Sequence, residues 1–460
     1  MRWVTRGLWV AAWGAWVWCG LGLYRELPRD IGRVVCKLPL DDSDDRPETP
    51  EGFLANENEV VTTVASEKRG VFARVRSGAT GNLLREYRIA ESRGLDYHVS
   101  CRYGLVLHER PFSPEPDHVR DATLDLRSGA IVRQVAALRG FAGFHPTRPL
   151  ALTFDFGAVT VRKADDFGNE DTPTADEGRV EVVNLQNGVS VFSWRGRPPR
   201  AVMREESRPF FSADGHWVVV PTGRVGTDPE GLEGIEIWNL DQRSLVCTLP
   251  GVFAQGPWCT ASSGRIACRP YARDDAVQVL SIPDGRALFD RGTTAAERKA
   301  SGSDWQWFKV ALSSDGRSLL QRDAGVLWSI DNGRPIRYLE SNVDSPPVGD
   351  CFEVWNDWAD APWAVLPSLS SHHTWRDLRT GALIYRCREA LPLIEASRSA
   401  DGTKIVEYHE EACVRRFPPR VDWSLLAICQ AILALPLIFL WLALLWRRKR
   451  RERRLGGAIA

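Results

Sequence analysis

Ten stretches of this chain are versions of two short patterns, and no other feature restricts its possible folds so severely. In the first pattern an apolar run meets a Ser-x-Asp-Gly turn and a second apolar run: PFFSADGHWVVVPTG (209–223), KVALSSDGRSLLQRD (309–323) and EASRSADGTKIVEYH (395–409). The Asp-Gly pair is the turn chemistry that lets two strands pair antiparallel, with Gly taking the positive φ. In the second pattern an alternating strand, a polar turn ending in Gly or its equivalent and another strand follow one another, at 71–89, 118–135, 179–194, 234–249, 276–290, 325–339 and 373–387. Alternation with period two, as in VEVVN, IEIWN and VQVLS, sends one set of side chains into a core and the next toward a neighbouring layer.

Each pattern is a hairpin, and two hairpins make a four-stranded unit that recurs every ~35 to 55 residues, the signature of a β-propeller. Seven complete units are expected at about 53–90, 93–137, 140–196, 207–250, 252–290, 306–341 and 350–388. Three further strands, near 393–397, 404–409 and 412–417, lack a fourth. The unused strand is RVVCKLPL, residues 33–40. Pairing of 33–40 beside 412–417 completes an eighth blade from both ends of the domain and removes an open sheet edge. Seven blades is the alternative, if one early unit is misread.

The repeat resembles those of WD40-like and YVTN-like propellers over residues 33–418. Trp238-Asn239 and Trp328-Ser329 occupy the place of the Trp-Asp dipeptide, and Asn184, Asn239 and Asp377 that of its acid. The resemblance implies an all-β ring of blades acting through its broad faces.

The ends of the chain differ from this domain. Residues 8–24 carry no charge and follow Arg2 and Arg6, so they read as a first membrane helix (signal anchor), with a cleaved signal peptide as the alternative. Residues 424–446 hold one amide, Gln430, and no charge, and read as a second spanning helix, with Pro436 tolerated inside it. Behind it lie Arg447, Arg448, Lys449, Arg450, Arg451, Arg453 and Arg454, with Glu452 among them. Basic flanks stay in the cytoplasm. The expected organisation is therefore a cytoplasmic 1–7, a propeller at 31–420 outside the cytoplasm, and a basic cytoplasmic tail at 447–460. The chain has 59 basic and 59 acidic residues, yet residues 1–30 sum to +2 and 421–460 to +5, which leaves −7 for the centre. A basic tail of this length is an orientation signal rather than a nucleic-acid site. With 44% hydrophobic and 26% charged residues, the chain is neither mostly disordered nor a polytopic transporter.

Eight cysteines fall outside the apolar ends. Cys36 and Cys413 lie in the proposed closing strands, and Cys259 and Cys268 flank one turn. Both are candidate disulfides, with buried free thiols as the alternative. No CxxC, HExxH, GxSxG or phosphate-loop pattern occurs in a suitable context, so the sequence points to no catalytic residue, metal or cofactor. His372 and His373 are adjacent, and strand neighbours face opposite ways. Two acidic segments, 41–52 and 165–178, read as solvated loops. The second, with Asp165, Asp166, Glu170, Asp171, Asp176 and Glu177, is inserted within the third unit and is a candidate partner-binding element. The reading is a membrane-tethered interaction or scaffold module with a protein or peptide partner. Its alternative is an enzyme, ligand-binding or sensor propeller with its site at the central channel, for which Glu395 and Lys309 are dispersed candidates.

Overall fold

A computed structural model describes residues 2–456, apart from 27, 31–33, 39–47, 55–57, 67–69, 91–96, 109–121, 135–139, 156–177, 198–207, 224–232, 255, 257–258, 262–263, 271–272, 274–275, 293–309, 323, 340–342, 344–346, 348–349, 356–372, 388–398, 400–402, 409–411, 417–419 and 422. The hairpins pair into eight sheets, the blades of an eight-bladed β-propeller. Strands are labelled A to D within a blade, from the inner strand outward.

Blades 1 to 4 (49–90, 97–134, 140–196 and 210–250) and blade 6 (310–338) each hold four antiparallel strands in sequence order. In blade 5 (252–292) strand A is broken. Val252–Phe253 and Thr260–Ala261 both pair with Arg265–Pro270. The expected alternation holds. Ile235 and Ile237 of IEIWN and Val277 and Val279 of VQVLS are buried, and Glu236 and Gln278 between them are partly exposed. A blade buries both its surfaces against its neighbours, so the core is a series of clusters bridging adjacent blades. One joins Leu54 and Val75 to Leu126 in blades 1 and 2, and another joins Ile237, Ile266 and Trp328 across blades 4, 5 and 6.

Closure follows the expected route. Val34–Lys37 pairs antiparallel with Ala412–Arg416, which pairs with Lys404–Tyr408, so the amino-terminal segment is strand D of blade 8. Val414 and Val406 of that blade pack on Phe53 and Val60 of blade 1. The segment near 393–397, expected as the inner strand, lies outside the described residues.

The thiol pairs differ from expectation. No disulfide joins Cys36 to Cys413 or Cys259 to Cys268. In the closing ladder Cys36 lies opposite Val414, and Cys413 lies opposite Lys37. Directly opposed residues share a face and the next pair takes the other, so the two thiols are turned to opposite sides of the sheet. Hydrogen bonds and apolar contacts therefore hold the closure without a covalent staple. Cys259 and Cys268 are fully buried small hydrophobes.

Blade 7 carries an addition that the repeat pattern did not predict. Its strands Cys351–Trp355, His373–Asp377 and Leu383–Cys387 are extended outward by Pro28–Asp30, parallel to Leu383–Cys387, and then by Arg420–Val421, antiparallel to Pro28–Asp30. Helix α1 (Arg2–Glu26) ends one residue before the first of these strands, and helix α2 (Trp423–Gly456) begins one residue after the second. The helices pack together beyond the sheet. The Trp16 indole donates to the Gln430 carbonyl at 3.1 Å, and a Cβ at Gly20 would fall 1.9 Å from the Gln430 amide nitrogen.

One described helix segment, Leu426–Arg447 with mean hydropathy 2.5, is long and apolar enough to cross a membrane. Among the described residues of α1 the apolar stretch is Trp9–Leu21, which is shorter. Among the described residues, then, the second expected span alone is long and apolar enough to cross by itself.

The turns between strands C and D explain the polar-x-x-x-Gly pattern. Gly129, Gly188 and Gly381 stand at φ of 73°, 65° and 68°. Each donates its N–H to the carbonyl of the polar residue that opens its turn, Asp125, Asn184 and Asp377. Blade 4 has Arg243 at φ 54° where other blades have Gly. A side chain in this left-handed region costs about 1 kcal/mol. Arg243→Gly is therefore expected to stabilise the protein by about that amount, read as a rise in the thermal midpoint. An unchanged or lower midpoint contradicts this account of the turn.

Candidate functional site

In blades 2 to 7 the residue after the polar opener of the C–D turn was not singled out in the sequence, and it organises one face of the ring. Leu126, Leu185, Leu240, Ile282, Ile330 and Leu378 are all at least nine-tenths buried. Each donates its backbone N–H, at 2.7 to 3.0 Å, to the carbonyl of the residue that precedes strand B of the same blade. The apolar side chain plugs the blade end while the N–H ties the C–D turn to the A–B turn. The residues resembling the acid of the Trp-Asp dipeptide act locally: Asn184, Asn239 and Asp377 accept N–H bonds from Gln186, Gln242 and Arg379 at 2.8 to 3.0 Å. Trp238 and Trp194 both donate to the carboxylate of Glu236, at 3.1 and 2.8 Å, which joins blades 3 and 4.

Among the described residues, the A–B turns latch blade to blade at five junctions on this same face. Nδ1 of buried His145 accepts N–H bonds from Thr147 and Arg148, both at 3.0 Å, and its Nε2 lies 2.8 Å from the Gly215 carbonyl of blade 4 and 3.1 Å from Nε of Arg148. Burial, reinforced by the Arg148 charge, outweighs the Gly215 bond and holds this imidazole below its ordinary pKa, hence neutral. Further latches are Ala213 N–H to Thr260 Oγ1 at 3.1 Å, Arg265 to the Gly316 carbonyl at 2.8 Å, Ser314 N–H to Asp350 at 2.7 Å and, across the closure, Lys404 to Asn58 at 2.7 Å.

The two faces of the ring are therefore unlike. Every A–B and C–D connection between described strands has three to five residues. The B–C connections on the other face include 109–121, 156–177, 223–233 and 356–372. Asp165, Asp166, Glu170, Asp171, Asp176 and Glu177 belong to one of these connections, and they lie outside the described residues, as do Lys309, Glu395 and His372.

The other acidic segment is not a solvated loop throughout. Glu48 is fully buried and holds two buried guanidinium groups. Arg76 donates Nε and Nη2 to its two oxygens at 2.7 and 2.8 Å, Arg74 donates Nη1 at 3.0 Å, and the Thr62 hydroxyl also donates. Arg74 turns its Nε to Glu86 at 2.7 Å. Burial alone raises the Glu48 carboxyl, but the bonds from Arg76, Thr62 and Arg74 and the Arg76 charge outweigh it and hold the group below its ordinary value.

Nearer the axis, strand A of blade 1 carries Glu51. Burial pushes its carboxyl up, against the Thr63 hydroxyl bond at 2.7 Å and the His98 charge. The His98 ring stacks on Phe141 of blade 3, with centroids 4.1 Å apart. Glu51, His98 and Phe141 form the polar-aromatic patch that the described inner strands bring together. Among the described residues no three His, Cys, Asp or Glu side chains are placed to hold a metal ion.

At the far end, α2 continues through the basic run, and the Arg450 guanidinium lies 4.0 Å from the Trp446 ring centroid.

No protein-family model and no curated protein matches the chain. Among solved structures it is similar to the computationally designed Ika8 protein, in its crystal packing No. 1 in P63. Identity is 12%, the TM-score is 0.47, and the match covers 84% of this chain and 100% of that one. The count of eight blades rests on the strand pairing of this chain itself.

The Glu48 cluster yields a pH-dependent prediction. The folded chain binds the Glu48 proton less readily than the unfolded chain, so its stabilisation is complete above the ordinary carboxylate range and is lost as the pH falls through the folded-state value. Glu48→Gln strands the buried Arg76 cation and leaves Arg74 with Glu86 as its carboxylate partner, and is expected to cost about 3–5 kcal/mol at neutral pH. The deficit should narrow toward about pH 3. Denaturant titrations across pH check this, and a deficit that stays constant contradicts it.

Proposed function

We propose that this chain is a membrane-anchored β-propeller that acts outside the cytoplasm as a protein-interaction or scaffold module, recognising a protein or peptide through its B–C face. The carrying observation is the contrast between the faces. One is built of tight turns bonded blade to blade, and the other gathers the long connections, among them the acidic insertion at 165–178. Rigid scaffolds that present long connections on one side are suited to recognition.

In this reading α2 spans the bilayer and α1 crosses beside it. The helix pair supplies what the shorter apolar stretch of α1 lacks alone: Gly20 allows close approach at Gln430, whose amide then faces protein instead of lipid. The apolar side chains of Ile428, Ile432, Leu435 and Phe439 are left exposed on α2, as a lipid-facing helix requires. Both basic ends, Arg2 with Arg6 and the 447–454 run, then lie on the cytoplasmic side. The WD40-like or YVTN-like affinity is part of the same proposal, supported by the turn-capping roles of Asn184, Asn239 and Asp377.

Two measurements test this. A reporter active only in the cytoplasm is expected to work when fused after Ala460 and to be silent when inserted at 165–178. The opposite pattern overturns the orientation. Replacing Asp165, Asp166, Glu170, Asp171, Asp176 and Glu177 with Ser is expected to abolish cross-linking of native partners while leaving the thermal midpoint unchanged. Unaltered partner cross-linking contradicts recognition through this segment.

A further inference from the structure

The direction of the chain at blade 7 fixes which side of the ring meets the bilayer. Leu383–Cys387 runs away from its C–D turn, and Pro28–Asp30 lies parallel to it, with Pro28 beside Arg386 and Arg29 beside Cys387. Chain entering Pro28 therefore comes from the C–D-turn side. Arg420–Val421 is antiparallel to Pro28–Asp30, so chain leaving it heads back to that side. A single residue, Leu27 or Asp422, separates each strand from its helix. The strand directions therefore point the chain toward both helices to the side of the A–B and C–D turns.

The side chains on that face fit such a surface. The large apolar residues of the propeller that are exposed among the described residues are Leu83, Leu84, Ile131, Val189, Leu245, Ile336 and Tyr338. All but Val189, which lies in its C–D turn, are in outer strands, and all but Tyr338 come within three residues of the glycine, or of Arg243, that closes a C–D turn. Scattered surface aliphatics need no explanation, but these are confined to one end of five blades. Exposed arginines sit in the same turns, Arg127, Arg243, Arg286 and Arg334, beside the exposed carboxylates Asp241, Asp284 and Asp331. Aliphatic groups beside long cations are the chemistry of the headgroup and acyl boundary, where Arg reaches phosphate and the apolar group enters the hydrocarbon edge.

We propose that the A–B/C–D turn face rests against the lipid surface, with the aliphatic starts of the outer strands at the acyl boundary and the turn arginines among the phosphates. This inference rests on the anchoring proposed above. It places the B–C connections, with the acidic insertion, on the side turned away from the membrane.

The test uses the full chain in nanodiscs of phosphatidylcholine with a share of phosphatidylglycerol. A photo-reactive benzoylphenylalanine is placed at Ala79 or Gln186, exposed in C–D turns, or at Gly292, which ends the outer strand of blade 5 on the other face and has nothing within 4 Å of an added Cβ. Incorporation into nanodiscs is measured first, and failure there overturns the anchoring itself. For incorporated protein, irradiation is expected to give lipid adducts at Ala79 and Gln186 and none at Gly292, by mass spectrometry. Lipid adducts at Gly292, protein-to-protein adducts at the turn positions, or no lipid adduct at either turn position overturn the orientation while leaving the anchoring intact. As a second variant, Ile131→Asp with Ile336→Asp, both at exposed positions, is expected to reduce the turn-face adducts without loss of incorporation. Unchanged adducts contradict a role for these aliphatic side chains.

Discussion

The pairing of Val34–Lys37 with Ala412–Arg416 is the interaction on which the rest of the structure depends. A ring of sheets has no stable open form, because an unclosed ring exposes the apolar flank of two blades and leaves a strand edge unpaired. Here both flanks are covered. Val414 and Val406 pack on Phe53 and Val60, and Lys404 reaches Asn58 across the junction. The closing strand comes from the opposite end of the chain to its two neighbours, so the last blade forms only when the termini meet. That requirement also brings α1 and α2 together, since both leave from the added strands of the neighbouring blade.

Burial is used differently on the two faces. The C–D turns spend an aliphatic side chain and a backbone N–H to tie each blade end, and the A–B turns then bond blade to blade through groups such as His145, Arg265 and Ser314. The longest connections lie on the other face, where the Thr222 hydroxyl of blade 4 also donates to the Arg197 carbonyl behind blade 3 at 3.0 Å. Glu48 shows the same economy in the core. It neutralises Arg74 and Arg76 at once, which lets two cations sit inside blade 1 without stranding charge.

Much of this architecture was legible from local chemistry. The Ser-x-Asp-Gly and polar-x-x-x-Gly turns marked the hairpins, and a unit lacking one strand pointed to residues 33–40 as the closing partner. Side-chain facing was not legible, because one β-bulge between Val34 and Cys36 resets which residues oppose. Proximity of Cys36 and Cys413 therefore did not mean a bridge. Pro28–Asp30 gave no strand signal, since three residues carry no periodicity. Glu48 read as solvated because a carboxylate is usually outside, and its two arginines stand 26 and 28 residues away. For the candidate recognition surface the sequence supplied the acidic insertion. The turn face could emerge only from strand directions.

The closure is tested most directly by converting Lys37, which lies opposite Cys413, into a cysteine. Under mild oxidation Lys37→Cys is expected to yield a linked peptide pair joining position 37 to Cys413, while the unsubstituted chain yields no Cys36–Cys413 pair. Absence of the 37–413 link, or a Cys36–Cys413 link in the unsubstituted chain, would contradict the register and with it the closed eight-bladed ring.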